Sequence, residues 1–169
     1  MFESRVLGVD PGLARLGLAV VEGNGREAAL IWAGAVETQS GSEESERLRH
    51  LCVAMREVIS VHGPASVAVE RVAWNKNQVS ALTVARATGA IMVVAADAGL
   101  PVAEYGPNEV KIAVTGMGNA DKEQVRRALV KVHGLKEVPT QADAADAVAV
   151  ALTHLVGARL RSLARSGSR

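Results

Sequence analysis

Four carboxylates are candidates for chemistry among the 18 acidic residues of this 169-residue chain: Asp10 in GVDPG, Glu70 in VAVERV, and Asp143 and Asp146 in QADAADAVAVALTH. Singly, most have ordinary explanations. Asp10 before Pro11-Gly12 suits a turn, because Asp bonds its own backbone and Pro presets the dihedral. Asp143, three residues after Thr140, suits the first turn of a helix, where acids meet the positive end of the dipole. Glu70 is harder to explain this way, since it is flanked by Val67, Val69 and Val72 in a half-buried strand where an ionised carboxylate needs a partner. Asp143 and Asp146, three apart, share one helical face.

If the four converge, their repulsion must be relieved by protonation, by basic partners or by a cation. All four are hard oxygen donors with no cysteine-histidine cluster beside them, which selects magnesium or manganese over zinc. A carboxylate cage with open positions suits two-metal phosphodiester hydrolysis. There one ion acidifies the attacking water and the other stabilises the leaving 3′ oxygen, with the pair about 3.5 to 4 Å apart. That chemistry requires no side-chain nucleophile, and the chain has no GxSxG elbow.

Other reactive side chains are set aside on spacing. His154 lies eleven residues beyond Asp143, roughly 16 Å along a helix at about 1.5 Å per residue, outside a metal's inner shell. His50, His62 and His133 fall in no motif. The single cysteine, Cys52, excludes an internal disulfide or a cysteine-based zinc site, and its place on an apolar helical face suggests a buried, inert thiol.

The elements that must position these residues follow from hydrophobic period. RVLGVD (5–10), LGLAVVE (16–22) and ALIWAGAVE (29–37) read as a three-strand meander, the last two strands joined by a turn at Asn24-Gly25. Leu48, Leu51, Cys52, Met55, Val58 and Ile59 recur at helical spacing, predicting a helix that ends near Gly63-Pro64. A strand at 65–72, a helix at 78–99, a strand at 101–106 and a helix from Pro107 through Val114 come next, and then a loop at Gly116 to Asn119. Two helices within 121–134 and 140–158 complete the pattern. It predicts an α/β chain with a five-stranded mixed sheet flanked by helices, in one domain over 1–157, with a basic, flexible tail at 158–169. If strands 5–10 and 65–72 are neighbours, Asp10 and Glu70 leave the sheet at the same edge. The small residues Ala142, Ala144, Ala145 and Ala147 would let the last helix approach the sheet closely.

Composition bounds the rest. Hydrophobic residues make up 49% and charged residues 22%, as in a soluble globular protein large enough to bury its own core. The formal charge of +1 neither demands nor excludes nucleic acid, although the stretch from Gly157 to Arg169 carries arginines and no acid, a candidate phosphate-attracting or simply solvated tail. No secretion signal or spanning apolar run is visible, so a cytoplasmic location is expected.

GVDPG, VAVERV, NKNQVSALTVARATGA, EYGPNEVKIAVTGMGNADKEQV and QADAADAVAVALTH together resemble the RuvC family of bacterial Holliday junction resolvases (crossover junction endodeoxyribonucleases), in order and in spacing, to about His154. The resemblance implies a ribonuclease H-like fold and a homodimeric, Mg2+-dependent endonuclease, with two ions per site and Mn2+ as a substitute. It further implies paired symmetric nicks in four-way junction DNA during recombination and repair, alongside the RuvA and RuvB branch-migration proteins. By the same resemblance, Asp10, Glu70, Asp143 and Asp146 fall on the family's catalytic and metal-binding acids. Lys111 and Lys122 fall on its basic positions near the cleaved DNA, where the alternative is a solvated helix face. Lys76 and Asn77 lie in a matching block as DNA-binding candidates.

The family's stacking aromatic falls on Ala73, one place before Trp74. Trp74 is therefore a candidate to stack on bases in its stead, or else a partly buried loop anchor. A two-fold dimer matches the symmetry of a four-way junction. Ala81, Ala85 and Gly89 would allow close helix packing across such an interface, or equally against the sheet. Two other readings stay open: a sugar-kinase or actin-like ATPase, which needs a second phosphate loop and lobe that this chain lacks, and a non-catalytic four-way-junction binding module.

Overall fold

The computed structural model describes residues 4–24, 27–71 and 78–166; Ala73, Trp74, Lys76 and Asn77 lie outside the described residues. β1 (Ser4–Asp10), β2 (Arg15–Gly23) and β3 (Ala28–Glu37) form the expected antiparallel meander. Their β-branched and leucine side chains suit a pleated, buried surface. β4 (Ser66–Glu70) and β5 (Val102–Tyr105) join in parallel beyond β1, giving a five-stranded mixed sheet in the order β3-β2-β1-β4-β5.

Helices α1 (Glu44–His62) and α2 (Gln78–Asp97) cover one face, packing Leu51, Met55, Ile91 and Val94 on Leu7, Val9, Val67 and Val69. Helices α3 (Pro107–Thr115), α4 (Lys122–Lys131) and α5 (Ala142–Ser166) cover the other, with Val110, Leu129, Ala147 and Leu152 on Val6, Ala19, Val21 and Ala68. The two-residue period of a strand decides where the acids go. Val6 and Ala68 face α5, so Gly8 and Asp10 on β1, and Glu70 on β4, are turned to that same side.

The close approach of α5 depends on residues without bulk. A Cβ at Gly8 would strike the Ala147 carbonyl oxygen, and one at Gly17 would strike that of Asp143, both far inside contact distance. With alanines buried at 144, 145, 147, 149 and 151 on the helix, backbone meets backbone.

The arginine-containing stretch after residue 157 continues α5 as helix to Ser166, since Leu, Ala and Arg are good helix formers. On α2, packing on the sheet accounts for Ala87 and Ala95 but not for Ala85 and Gly89. Its sheet-facing side is Ala87, Ile91, Val94 and Ala95, whereas Ala85 and Gly89 are exposed. No described helix is long and apolar enough to cross a membrane.

Candidate active site

A cavity of about 530 Å³ opens where β1 and β4 end against α3, α4 and α5, and its wall includes Asp10, Glu70, Asp143, Asp146, Arg71, Lys111 and Lys122. The pleat and the β1–β4 register, with Val9 opposite Val69, put Asp10 beside Glu70. One helical turn on α5 supplies Asp143 and Asp146. Lys111 comes from the middle of α3, a helix begun by Pro107 in its first turn. Lys122 opens α4, whose start is set by Asp121 accepting from the Gln124 N–H at 2.8 Å while the Gln124 side chain accepts from the Asp121 N–H at 2.8 Å. Reciprocal caps of this kind locate a helix end to the residue.

The electrostatics are those of crowded acids. Burial first, then the charge and hydrogen bond of Glu70, then the charges of Asp146 and Asp143, push the Asp10 carboxyl up to about 8. Lys122 Nζ donates to Asp146 Oδ2 at 2.8 Å. That bond comes first among the causes holding its ammonium above the usual lysine value, against desolvation and helped by the charges of Asp146, Asp10 and Asp143. Lys122 is therefore a fixed positive charge.

The donor set fits a hard divalent cation: four carboxylates share one cavity, and their crowding shows in the raised Asp10 carboxyl and in the Lys122 ammonium drawn to Asp146. The acids are gathered but not closed. Among the described residues no three acids, histidines or cysteines stand together as an ion-holding group; Asp10 bonds Glu70 and Asp146 bonds Lys122.

The remaining candidates fall outside the cavity. His154 Nδ1 lies 2.9 Å from the Tyr105 hydroxyl, His133 Nε2 lies 2.9 Å from the Val114 carbonyl, and His62 stacks on Trp32. Cys52 is half-buried rather than fully buried, with its thiol pushed up by burial. Sequence reasoning missed Arg71. A lone arginine after a strand carries no periodic signal, and only the packing of β4 beside α3 brings it to the cavity wall.

A pH dependence follows from Asp10. Its folded value near 8 lies above the ordinary 3.8, so between those limits the folded state binds more protons than the unfolded chain and stability falls as pH rises. In EDTA the melting temperature is expected to drop by roughly 5 °C or more between pH 5 and pH 8, with Asp10→Asn flattening the slope. Equal slopes in the two proteins, measured by calorimetry, would remove the strained carboxylate from the account.

Comparison with known proteins places this geometry among relatives. The family pattern described as crossover junction endodeoxyribonuclease RuvC matches residues 6–154. A crossover junction endodeoxyribonuclease RuvC from Parafrankia sp. is 47% identical over 152 residues, spanning 89% of this chain and 85% of the relative. The corresponding protein of Saccharopolyspora erythraea is 45% identical over 152 residues, 89% of this chain and 76% of its own length. Among solved structures, Thermus thermophilus RuvC in complex with Holliday junction substrate superposes with a TM-score of 0.88 at 39% identity, covering 94% of this chain and 97% of that one.

Proposed function

The chain belongs to the RuvC family of crossover junction endodeoxyribonucleases, and on that premise we propose that its cavity of four acids and three cations is where the DNA strand is cut. The protein is a DNA endonuclease that resolves Holliday junctions, with a ribonuclease H-like fold. The observation that carries the assignment of the site is the meeting of Asp10, Glu70, Asp143 and Asp146, from three separate elements, in one cavity.

The family's reaction is metal-dependent; for this chain we assign magnesium, two ions per site, with manganese as a substitute. Asp10, Glu70, Asp143 and Asp146 would hold them, and the ions supply an acidified water and charge stabilisation at the leaving oxygen. Asp10, whose carboxyl is pushed up by burial and by Glu70, would hold such an ion as its carboxylate. Lys111 and Lys122 face the phosphate as point-charge donors, stabilising the negative charge that develops on it. Incubating the protein with a labelled four-way junction, with and without magnesium, tests the whole reading: paired nicks in the presence of the ion support it, while binding without nicking returns the non-catalytic module.

Lys122 carries a second test. Lys122→Met is expected to slow single-turnover cleavage by about 10²-fold while junction affinity changes less than about threefold. With Asp146 released, manganese binding to the DNA-free protein, followed by calorimetry, is expected to tighten. Wild-type cleavage in this variant would remove Lys122 from the reaction.

Symmetric cutting requires two sites, and the outward face of α2 supports a homodimer as the source of the second. Leu82 and Val93 are 55% and 58% exposed, and nothing lies within 4 Å of a Cβ built at Gly89, leaving an apolar strip with room for a second backbone. Gly89→Arg is expected to convert dimer to monomer in sedimentation analysis; an unchanged mass would place the interface elsewhere. RuvA and RuvB as partners, and a cytoplasmic location, are part of the same proposal by family resemblance.

A further inference from the structure

We infer that Arg71 binds a backbone phosphate of the junction strand entering the cavity, with its guanidinium shared between that phosphate and Glu109. The inference rests on the assignment of the cavity as the cleavage site. Arg71 immediately follows Glu70, and its backbone is fixed: its N–H donates to the Tyr105 carbonyl at 2.8 Å, carrying the β4–β5 pairing one residue past the acid. From there the side chain reaches the cavity wall. Nη2 donates to Glu109 Oε2 at 2.7 Å, and the same oxygen accepts the Gly106 N–H at 2.6 Å.

That carboxylate oxygen is thus doubly engaged, and among the described residues the guanidinium meets it through Nη2 alone, not as a two-bond fork. The rest of a planar five-donor group is left to a second anion. Both side chains are more than half exposed, 55% and 58%, and an ion pair in that position contributes about 0 to 1 kcal/mol to stability. Folding therefore gives little reason for an arginine here, and the neighbours give a functional one. Arg71, Lys111 and Lys122 reach the cavity from β4's end, α3 and α4, and Lys122 shares its ammonium with Asp146. Arg71 is the cation that directly follows Glu70 in the chain, with a fork shaped for phosphate oxygens. Glu109 holds it at the rim until DNA arrives.

The test uses a labelled synthetic four-way junction and the full chain without divalent ion, so that binding is read apart from cleavage. Arg71→Met is expected to raise the junction Kd by about 5- to 10-fold at moderate salt and to lower the slope of log Kd against log salt by about one phosphate contact. Arg71→Lys is expected to recover part of the affinity, and Glu109→Gln to bind as tightly as wild type or tighter. A merely structural pair predicts the same sign for both partners. The inference is overturned if Arg71→Met keeps the wild-type Kd and salt slope, or if Glu109→Gln weakens binding in parallel with it. Failure of the wild-type protein to bind the junction would instead remove the functional reading beneath it.

Discussion

Asp10→Asn is expected to reduce nicking of a four-way junction by at least about 10³-fold while junction affinity stays within about threefold. The substitution preserves shape and removes one charge from the centre of the acid cluster, where Asp10 bonds Glu70 and feels Asp146 and Asp143. A neutral amide would hold a hard cation less strongly than a carboxylate, and a 10³-fold loss corresponds to about 4 kcal/mol of transition-state stabilisation. Unfolding cannot account for such a loss. The native carboxyl is pushed up to about 8 by its surroundings, so the amide relieves strain, and the variant is expected to melt at or above the wild-type temperature in EDTA at pH 8. Single-turnover cleavage, filter binding and calorimetry on one preparation separate the three quantities. Glu70→Gln, Asp143→Asn and Asp146→Asn extend the test, and a variant that keeps full activity takes its residue out of the reaction.

Gly17→Ala is expected to cost about 2 to 3 kcal/mol of stability and to abolish cleavage even where the protein remains folded. Gly17 lies opposite Asp10 in the β1–β2 register. A Cβ there would collide with the backbone carbonyl of Asp143 and sit 3.2 Å from the Asp10 Cβ. Backbone cannot rotate aside as a flexible side chain can, so α5 must move off the sheet and take Asp143 and Asp146 with it. For a chain of this size the loss lowers the melting temperature by roughly 4 to 12 °C. Gly41→Ala is the control, because nothing lies within 4 Å of a Cβ there. A Gly17→Ala protein with wild-type melting and wild-type cleavage would show that the intimacy of α5 and β2 is dispensable.

Much of the site was legible because its determinants are local. The alternation through Val67, Ala68, Val69 and Glu70 marks a buried strand ending on an acid, and the spacing of Asp143 and Asp146 puts two carboxylates on one helical turn. Each pattern exists within about ten residues, the range over which backbone periodicity operates. The small residues Ala142, Ala144, Ala145 and Ala147 also announce a close approach of α5 to the sheet, although not that Gly8 and Gly17 are where it makes contact.

What the sequence determined by itself was therefore the five strands, the four acids that line the cavity, and, once β1 and β4 are neighbours, the shared edge at which Asp10 and Glu70 emerge. Only the tertiary structure decided that α2 turns Ala85 and Gly89 outward: the helix carries apolar residues nearly all round, so its period names no unique buried face. The structure alone also paired Lys122 with Asp146 across 24 residues, aimed Arg71 at Glu109 and made Asp10 a weaker acid than an ordinary aspartate. Each of these depends on a distance between elements far apart in the chain, and such distances are set by how helices and sheet pack together.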